Sequence, residues 1–451
     1  MPTSRKPGRT AFGRFYRELL LLLALLVSAL LRQPQVQIVL PFSRSRVEPK
    51  RVVVIGGGFA GLAAARKLRR SFDVTLVDSK EYFEFVPGMV RPYSQPDLHQ
   101  GLALQYAEIC KKMRVRWMWG HALRLDDNQI TVRTRNDKSD RNVPFDYCVV
   151  AVGCQYGSDL WYPVLSQRLD GDDQRLLHGR RSSIAAEHSA IAELAKQGSH
   201  VAIIGAGFVG VEFATELRHY YPDLDISVVD VAATCCGPLC GSAQSYIQKH
   251  MDTHRISSFY GVNYSPATAG EFWKSQGKPE PARVFMSVGM KPHCNFLPPG
   301  CLNANGWIKV TSRLEVATSS SDGELVPLGT GNVFAVGNCA DDIPGLERLP
   351  KNSFPAEEMA AHAVKSIRRL ARDKEVSSFR VSGLKKLATG ISATSLGPKD
   401  GVVVANNRLP GSGFVALRGR AAIWVKELIR WSKVDECKLG IVGTLLWKFV
   451  H

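Results

Sequence analysis

The chain contains 451 residues, of which 45% are hydrophobic and 22% are charged. This composition is typical of a folded protein and excludes a disordered or collagen-like chain. At roughly 150 residues per domain, the length predicts two to four domains. The formal net charge of +17 is large, and it indicates a nucleic acid, a membrane surface or a targeting segment as its cause.

The positive charge is concentrated at the two ends of the chain. Residues 1–50 carry a net +7 and residues 380–451 a net +8, which leaves only +2 on the residues between them. A nucleic-acid enzyme would carry its positive charge on the main folded body, where that charge follows the phosphates. We therefore expect no nucleic-acid partner.

The N-terminal segment combines basic residues with a short apolar run. Residues 19–31 are apolar except Ser28, a run shorter than the ~20 residues of a spanning helix. It fits a mitochondrial presequence, a signal peptide or a short membrane anchor, and the absence of a clear cleavage site disfavours the signal peptide. A buried helix is disfavoured because Pro34, Pro41 and a polar linker follow. We predict that residues 1–46 target or anchor the protein, with a mitochondrial location favoured and an uncleaved anchor in another endomembrane as the alternative.

From Arg51 the pattern becomes that of a nucleotide-binding unit. A buried strand leads into Gly56-Gly-Gly58-Phe-Ala-Gly61 and a helix of small and apolar residues. In such a GxGxxG motif the first glycine permits a tight turn, the second lets a pyrophosphate approach the backbone, and the third lets helix and strand pack closely. A second strand ends in Asp78, where a carboxylate can accept hydrogen bonds from a ribose.

The same unit recurs at Val201. Gly205-Ala-Gly207-Phe-Val-Gly210 again joins a strand to a helix, and the following strand ends in Asp230. Two complete dinucleotide sites in one chain indicate a flavin and nicotinamide pair, because electrons pass between the rings where the two sites face each other. The fold class predicted is α/β, with two Rossmann-like dinucleotide-binding domains and a C-terminal α/β domain.

Three later segments have the same character. Phe145 to Gly153 and Val284 to Gly289 are apolar strands that end in glycine, and Asn332 to Asn338 ends in Gly337 and a polar side chain. Each segment alone is typical of an ordinary core strand. Their order along the chain indicates where the chain leaves the first nucleotide-binding domain, where it leaves the second, and where it returns to the first.

These motifs resemble the flavoproteins with two dinucleotide-binding domains, the pyridine nucleotide-disulfide oxidoreductase superfamily, from about Arg51 to the C-terminus. Within it the chain is similar to the apoptosis-inducing-factor-homologue (ferroptosis-suppressor) branch, through residues 220–226, residues 395–402 and Lys426-Glu. Tyr82-Phe-Glu-Phe-Val-Pro87 is similar to type II NADH dehydrogenases. The resemblance implies FAD in the first site, NADH or NADPH in the second, and electron transfer to a quinone without proton pumping.

The resemblance also implies residue roles. The expected FAD-side residues are Gly56, Gly58, Phe59, Ala60, Gly61, Asp78, Lys80, Arg91, Ala151, Gly153, Gly337 and Asn338, and those on the nicotinamide side are Gly205, Gly207, Gly210, Asp230 and Gly289. Glu212, near the nicotinamide ring, and Lys426, near the flavin, are the catalytic candidates. Asn338 replaces the usual Asp, which should shift the flavin potential. Asp230 would repel a 2′-phosphate, which favours NADH over NADPH.

The cysteines do not fit the disulfide reductases of this superfamily, which carry a CxxxxC pair facing the flavin. Residues 77–100 contain no cysteine, so we expect electrons to pass directly to an external acceptor. Cys235, Cys236 and Cys240 lie together in the nicotinamide segment. A loop of incidental thiols is favoured over a metal or redox site, since no His or acid is spaced to complete one, and no metal is predicted.

Near the C-terminus, residues 421–434 have the period of a helix. Trp424, Leu428 and Trp431 share one face, beside a basic stripe of Lys426, Arg430 and Lys433. Such a helix suits a membrane interface where a quinone is met. The alternative is that the tryptophans pack onto the flavin domain and the basic side chains are solvated.

The predicted domains are 1–46, a targeting or anchor segment; 47–160 and 316–380, the two parts of an FAD domain; 161–315, the NAD(P)H domain; and 381–451, the C-terminal domain. The predicted function is a membrane-associated, FAD-dependent NAD(P)H:quinone oxidoreductase, with a homodimer left open. Two alternatives remain: a redox-responsive flavoprotein that acts by binding a partner, and a ferredoxin or rubredoxin reductase.

Overall fold

Runs of buried β-branched residues build one mainly parallel and one fully parallel sheet, one around each glycine motif. The structure, a computed structural model, describes residues 48–156, 175–346, 349–381, 390–407 and 409–450, with the backbone alone for the last three. The predicted targeting segment lies outside the described residues. All elements below belong to one unit, Pro49–His451. Within the described ranges no helix is both long and apolar enough to cross a membrane.

The first sheet has seven strands. In order across the sheet they are Val333–Ala335, Tyr147–Val150, Arg51–Ile55, Asp73–Asp78, Arg116–Leu125, Gln129–Thr134 and Asp140–Pro144. The first five are parallel and the last two antiparallel. Val52 to Ile55 are buried on both faces, as expected for a central strand with helices on either side.

Two helices pack against each other, and one of them packs directly on this sheet. The helix Phe59–Leu68, which we call the first glycine helix, begins directly after Gly58. The helix Ser353–Leu370 packs along it. Ala60, Ala63 and Ala64 are buried, and their small side chains allow this close approach.

The second sheet has four parallel strands. In order they are Ile256–Phe259, Asp225–Val229, His200–Ile204 and Arg283–Met286. The helix Phe208–Tyr220, which we call the second glycine helix, follows Gly207. The predicted α/β fold with two Rossmann-like units is confirmed by these two sheets and their glycine helices.

The chain crosses between the two sheets twice. Gln155–Tyr156 pairs with Met290–Lys291 in an antiparallel ribbon where these crossings meet. The division into domains remains a prediction, but the backbone N–H of Leu125 donates to the carbonyl of Phe296, and Glu315 bridges to Phe334. These bonds tie the end of the predicted NAD(P)H domain to the first sheet, so the return crossing would precede residue 316.

The C-terminal region forms a three-stranded antiparallel sheet, Ser392–Leu396, Asp400–Ala405 and Phe414–Arg418. Two helices follow it: Arg420–Cys437, which we call the tryptophan helix, and Ile441–Val450, the last helix. The first strand of this sheet packs on the second glycine helix, and the tryptophan helix packs on the sheet and on the last helix.

The remaining elements are short or peripheral. They comprise the strand pairs Tyr82–Glu84 with Ala103–Gln105 and Ala317–Ser319 with Leu325–Pro327; the helices Tyr106–Met113, Leu177–Lys196, Gly241–Thr253 and Ala269–Ser275; and the 3₁₀ turns Val86–Gly88, Arg91–Tyr93, Pro96–Gly101, Pro299–Cys301 and Gly337–Cys339.

Candidate active site

A cavity of about 1480 Å³ reaches both glycine loops. Gly56 and Gly58 line it from the first loop, and Gly207 and Phe208 line it from the second. Sites for one drug-sized ligand measure about 300–1,000 Å³. This cavity therefore has room for two extended ligands that approach each other.

Most of the residues singled out from the sequence line this cavity. They are Gly56, Gly58, Phe59, Ala60, Asp78, Lys80, Arg91, Ala151, Gly153, Gly207, Glu212, Gly289, Gly337, Asn338 and Lys426. Gly61, Gly205, Gly210 and Asp230 are not among its lining residues. The three glycines shape the cavity through the backbone around them, and Asp230 acts on the second loop through its carboxylate.

The third glycine of each motif is a packing residue. A Cβ built on Gly61 would lie 1.8 Å from the carbonyl oxygen of Gly56, and one on Gly210 would lie 1.8 Å from that of Gly205. No real side chain tolerates such a distance, because the helix rests directly on the turn before it. The third glycines therefore bring each helix N-terminus to its loop.

The second glycines have the opposite environment. A Cβ on Gly58 or Gly207 would meet no atom within 4 Å, and both residues line the cavity. Each precedes a helix whose first N–H groups lack partners within the helix, and a helix N-terminus favours negative charge. The open space and the unpaired donors fit the phosphates of a dinucleotide at each loop.

The two acids at the strand ends hold the glycine loops. Asp78 Oδ2 accepts a hydrogen bond from the Gly57 N–H at 2.6 Å, and Asp230 Oδ2 accepts one from the Ala206 N–H. The second oxygen of Asp230 accepts from the Ala232 N–H at 2.8 Å. Asp78 also lines the cavity, where it can reach a ligand, whereas Asp230 is not among the lining residues.

The two catalytic candidates lie together on the cavity wall. Lys426, on the tryptophan helix, forms an ion pair with Glu212 on the second glycine helix. Lys426 Nζ also donates to Ser395 Oγ at 2.9 Å, and the Ser395 N–H donates to Glu212 Oε1 at 2.9 Å. The pair is largely buried, so its hydrogen bonds offset part of the cost of removing two charges from water. An ammonium and a carboxylate held here can donate and accept a proton beside a bound ligand.

A second ion pair continues this wall. Arg91 binds Glu427 of the tryptophan helix, and Arg430 Nε donates to the other oxygen of Glu427 at 2.7 Å. Burial raises the pKa of Glu427, but Arg91 and Arg430 outweigh it and lower that pKa overall. We call Arg91, Glu212, Lys426, Glu427 and Arg430 the charged cluster.

The predicted basic stripe on the surface is wrong. Lys433 is only 4% exposed, and its ammonium binds both Glu357 and Glu436. Burial lowers the pKa of Lys433, but the two carboxylates outweigh it and raise that pKa overall. Lys426 and Lys433 face acids on the packed side of the helix, and Arg430 pairs with the partly buried Glu427.

The alternative prediction, that the tryptophans pack inward, is also wrong. Trp424 is 57% exposed, Leu428 54% and Trp431 47%. The last helix exposes Ile441 to 78% and also exposes Val442 and Leu445. The two neighbouring helices therefore present apolar side chains to the surroundings.

Some residues of the cavity were missed by the sequence reading. Cys154 lines it, and the Asn338 amide donates to the Cys154 Sγ at 3.8 Å and to the Lys351 carbonyl at 3.2 Å. Ser395 was identified only as part of residues 395–402, which carry the family resemblance, and no sequence motif pointed to Glu357. Their sequence distances from the glycine motifs explain why only the folded chain brings them in.

The cysteine cluster of the second unit lies inside the protein. Cys235, Cys236 and Cys240 are all buried, and burial raises the pKa of both the Cys235 and the Cys236 thiol. Across the part of the chain that the structure describes, no three His, Cys, Asp or Glu side chains gather in a way that could hold a metal ion. These thiols act as small core side chains beneath the second loop.

Comparison with known proteins identifies the family to which the chain is similar. The profile of the pyridine nucleotide-disulphide oxidoreductase family matches residues 50–365. Apoptosis-inducing factor homolog B of Dictyostelium discoideum is 24% identical, over 79% of this chain and 89% of its own. Type II NADH:quinone oxidoreductase of Staphylococcus epidermidis is 23% identical, over 87% of this chain and 97% of its own.

Solved structures share the fold. The sulfide:quinone oxidoreductase of Aquifex aeolicus superposes with a TM-score of 0.65 at 17% identity, over 87% of this chain and 92% of that one. NDH2 of Plasmodium falciparum, in complex with NADH, superposes with a TM-score of 0.60 at 12% identity, over 87% of this chain and 98% of that one. The predicted resemblance is confirmed: the chain belongs to the pyridine nucleotide-disulphide oxidoreductase family, whose members are NAD(P)H-dependent flavoprotein oxidoreductases.

Proposed function

We propose that the protein is an FAD-dependent NAD(P)H:quinone oxidoreductase that works at a membrane surface and does not pump protons. The observation that carries the proposal is the single cavity reached by both glycine loops, because two dinucleotides can exchange electrons only where their rings meet. The similarity to type II NADH:quinone oxidoreductases over most of both chains supports a quinone as acceptor.

In this proposal the first loop holds FAD. Gly58 would leave space for the pyrophosphate and Asp78 would accept hydrogen bonds from the ribose, while Ala151, Gly153 and Asn338, which line the same cavity, would contact the rest of the cofactor. Lys80 and Arg91 add positive charge at the same wall. FAD held there would supply two-electron redox chemistry between a hydride donor and the acceptor.

The second loop then holds the nicotinamide nucleotide. Gly207 leaves space for its pyrophosphate, and Gly289 borders the cavity from the next strand. Asp230 would disfavour a 2′-phosphate, so we expect NADH to be the better donor.

The Glu212–Lys426 pair acts at the meeting point of the two sites. Glu212 orients the nicotinamide end through its carboxylate, and the Lys426 ammonium stabilises negative charge that develops on the acceptor oxygen. Ser395 fixes the geometry of both groups through its hydroxyl and its backbone N–H. A positioned acid of this kind accelerates proton transfer by about 10²–10⁴-fold.

A membrane surface is the proposed site of action. Trp424, Leu428 and Trp431 on the tryptophan helix and Ile441 on the last helix are exposed apolar side chains, and such faces insert into the boundary layer of a bilayer. Leu98, Ile391 and Leu409 are exposed and also line the cavity, which would give an apolar quinone an apolar entrance. Residues 1–46 would direct the protein to its membrane, with a mitochondrial one favoured.

Anaerobic addition of NADH to the FAD-loaded protein tests this proposal. We expect the flavin absorbance to bleach and a soluble ubiquinone analogue to restore it, with sustained turnover when both are present. Bleaching without recovery by any quinone would refute the acceptor. A single slow turnover would instead favour the flavoprotein that acts by binding a partner, and acceptor kinetics that weaken steeply with salt would favour a ferredoxin or rubredoxin reductase.

A further inference from the structure

Glu216 is an acid that the proposed mechanism does not use. It lies four residues beyond Glu212 on the second glycine helix, on the same face, and its exposure is 1%. Both of its carboxylate oxygens are buried and find no hydrogen-bond partner among the described residues. Buried polar atoms are normally paired, so a carboxyl group left unpaired beside an active site requires a reason.

The surroundings of Glu216 are charged but balanced. Burial is the main cause that raises its pKa, and the charges of Glu212 and Glu427 raise it further, whereas Arg91 and Lys426 oppose this. The result is a pKa of about 7.

The other neighbours of Glu216 do not change this balance. Tyr220, one turn further along the helix, has a pKa raised by burial and by Glu216. The strand Ser392–Leu396, which packs on this helix, carries no ionisable side chain. Burial therefore sets the raised pKa of Glu216, and the charges around it, those of Arg91, Lys426, Glu212 and Glu427, modify it.

The formal charge of this wall depends on one proton. The charged cluster holds three cations and two carboxylates, a net +1. Ionised Glu216 brings the group to zero, and protonated Glu216 leaves it at +1. A change of one charge in the cavity can thus be compensated at Glu216 without any change in the ion pairs themselves.

We propose that Glu216 stores the proton that accompanies electron transfer in the cavity. This inference rests on the proposed function for the reaction, in which NADH, a quinone and one proton give NAD⁺ and a quinol. The hydride brings two electrons and one proton, so the second proton of the quinol must come from the medium. The Glu216 carboxylate binds that proton, forming an O–H bond, as the electron pair enters the cavity, and the O–H bond breaks when the quinol forms.

Glu212 is less suited to this task. Its Oε1 accepts hydrogen bonds from both Lys426 and the Ser395 N–H, so protonation of Glu212 would disrupt an ion pair and a hydrogen bond. Protonation of Glu216 disrupts no hydrogen bond among the described residues. Glu216 does not line the cavity, so it holds the proton one helix turn behind the wall and exchanges it with the cavity through the charged cluster.

Stability as a function of pH tests the ionisation without any cofactor or acceptor. The pKa of Glu216 is raised above its ordinary value of 4.5, so the folded protein keeps this proton at a pH where the unfolded chain has released it. The stability that protonation provides is complete below pH 4.5 and is lost as the pH rises through 7. We expect the melting temperature of Glu216→Gln to exceed that of the wild type by a margin that grows from pH 5 to pH 8.

The control for this experiment is Glu193→Gln, the same substitution at an exposed position of the helix Leu177–Lys196. Its melting temperature should follow the wild-type pH dependence. Parallel curves for Glu216→Gln and the wild type would overturn the proposed ionisation. If Glu216→Gln does not fold, Glu216→Met gives the same comparison.

Proton uptake on reduction tests the role itself. The FAD-loaded protein is reduced anaerobically with NADH in a weakly buffered solution that contains a pH indicator, at pH 7 to 8. We expect Glu216→Gln to take up fewer protons than the wild type, by up to one per electron pair, and Glu193→Gln to match the wild type. Equal uptake by Glu216→Gln and the wild type would overturn the proposal.

The acceptor is not needed for either measurement. Failure to reduce any quinone would therefore refute the proposed function and leave the proton measurements to decide on Glu216. Where quinone turnover is present, its pH profile provides a further test. The inflection near pH 7 in the wild type should be absent from Glu216→Gln, and its persistence would contradict the proposal.

Discussion

The two glycine loops have the same architecture but different neighbours. In both, the third glycine rests on the carbonyl of the first, and an acid at the end of the next strand holds the loop. The helices that follow differ: where the first carries Ala63 and Lys67, the second carries Glu212 and Glu216. The repeated part accounts for nucleotide binding, and the acids of the second helix are where chemistry can occur.

The tryptophan helix contacts both glycine helices through ion pairs, in which it supplies a cation to the second and a carboxylate to the first. Its Lys426 binds Glu212 of the second glycine helix, and its Glu436 binds Arg66 of the first. The two contacts are ten residues apart, about 15 Å along a helix. One C-terminal helix therefore contacts both glycine helices, and only its contact with the second one lies on the cavity wall.

The largest expected effect comes from the feature that the loops share. Gly61→Ala and Gly210→Ala each force a Cβ against a carbonyl oxygen, and we expect each to lower the free energy of unfolding by about 3 kcal/mol or to prevent folding. Gly58→Ala and Gly207→Ala, whose Cβ would meet no atom within 4 Å, are the matched controls and should stay folded. Denaturant unfolding measures both pairs, and equal stability within a pair would contradict the packing role.

The second-largest effect concerns the Glu212–Lys426 ion pair, which involves the second glycine helix and has no counterpart on the first. Lys426→Met leaves the Glu212 carboxylate buried without its cation, and we expect stability to fall by about 3 kcal/mol and quinone turnover to fall about 100-fold. Combining it with Glu212→Gln should restore much of the stability but not the turnover. A double variant with wild-type turnover would show that the pair is only structural.

A smaller effect distinguishes the two strand-end acids. Asp230→Ser removes the charge that repels a 2′-phosphate, and we expect the preference for NADH over NADPH to fall about tenfold in kcat/KM. Asp78→Ser should weaken retention of the flavin and leave the choice of nicotinamide nucleotide unchanged. If Asp78→Ser altered that choice instead, the assignment of the two loops would be reversed.

The smallest effect concerns the outer face of the tryptophan helix. Trp424→Ser combined with Trp431→Ser should reduce binding to lipid vesicles several-fold, since each indole contributes apolar area at the interface, with little change in stability because both side chains are exposed. Phe414→Ser changes a side chain of similar exposure on the C-terminal sheet and serves as the control. If Phe414→Ser lost as much vesicle binding as the double tryptophan variant, the outer face of the tryptophan helix would not be the specific site of lipid binding.

Local sequence was sufficient to predict the nucleotide units. Gly56 to Asp78 and Gly205 to Asp230 are each a continuous segment, so a strand, a turn, a helix and a second strand could be read in order. The pairing of Glu212 with Lys426 joins residues more than 200 positions apart, and no local pattern encodes it. Each residue was a candidate by resemblance, but their contact required the folded chain.

Helical periodicity was informative in one respect and misleading in another. It correctly grouped Trp424 with Trp431 on one face and Lys426 with Lys433 on another. It could not decide which face is buried, because that depends on acids supplied by other helices, such as Glu357 for Lys433. Glu216 had no signal in the sequence, since its significance comes from being buried without a partner.

The most direct test of the account is the anaerobic reduction of the flavin by NADH compared with NADH deuterated at the nicotinamide C4, followed by stopped flow. Because both loops open into one cavity, we predict direct hydride transfer, with rapid bleaching that is slower for the deuterated donor. No bleaching by either donor would contradict the central claim that the two sites meet.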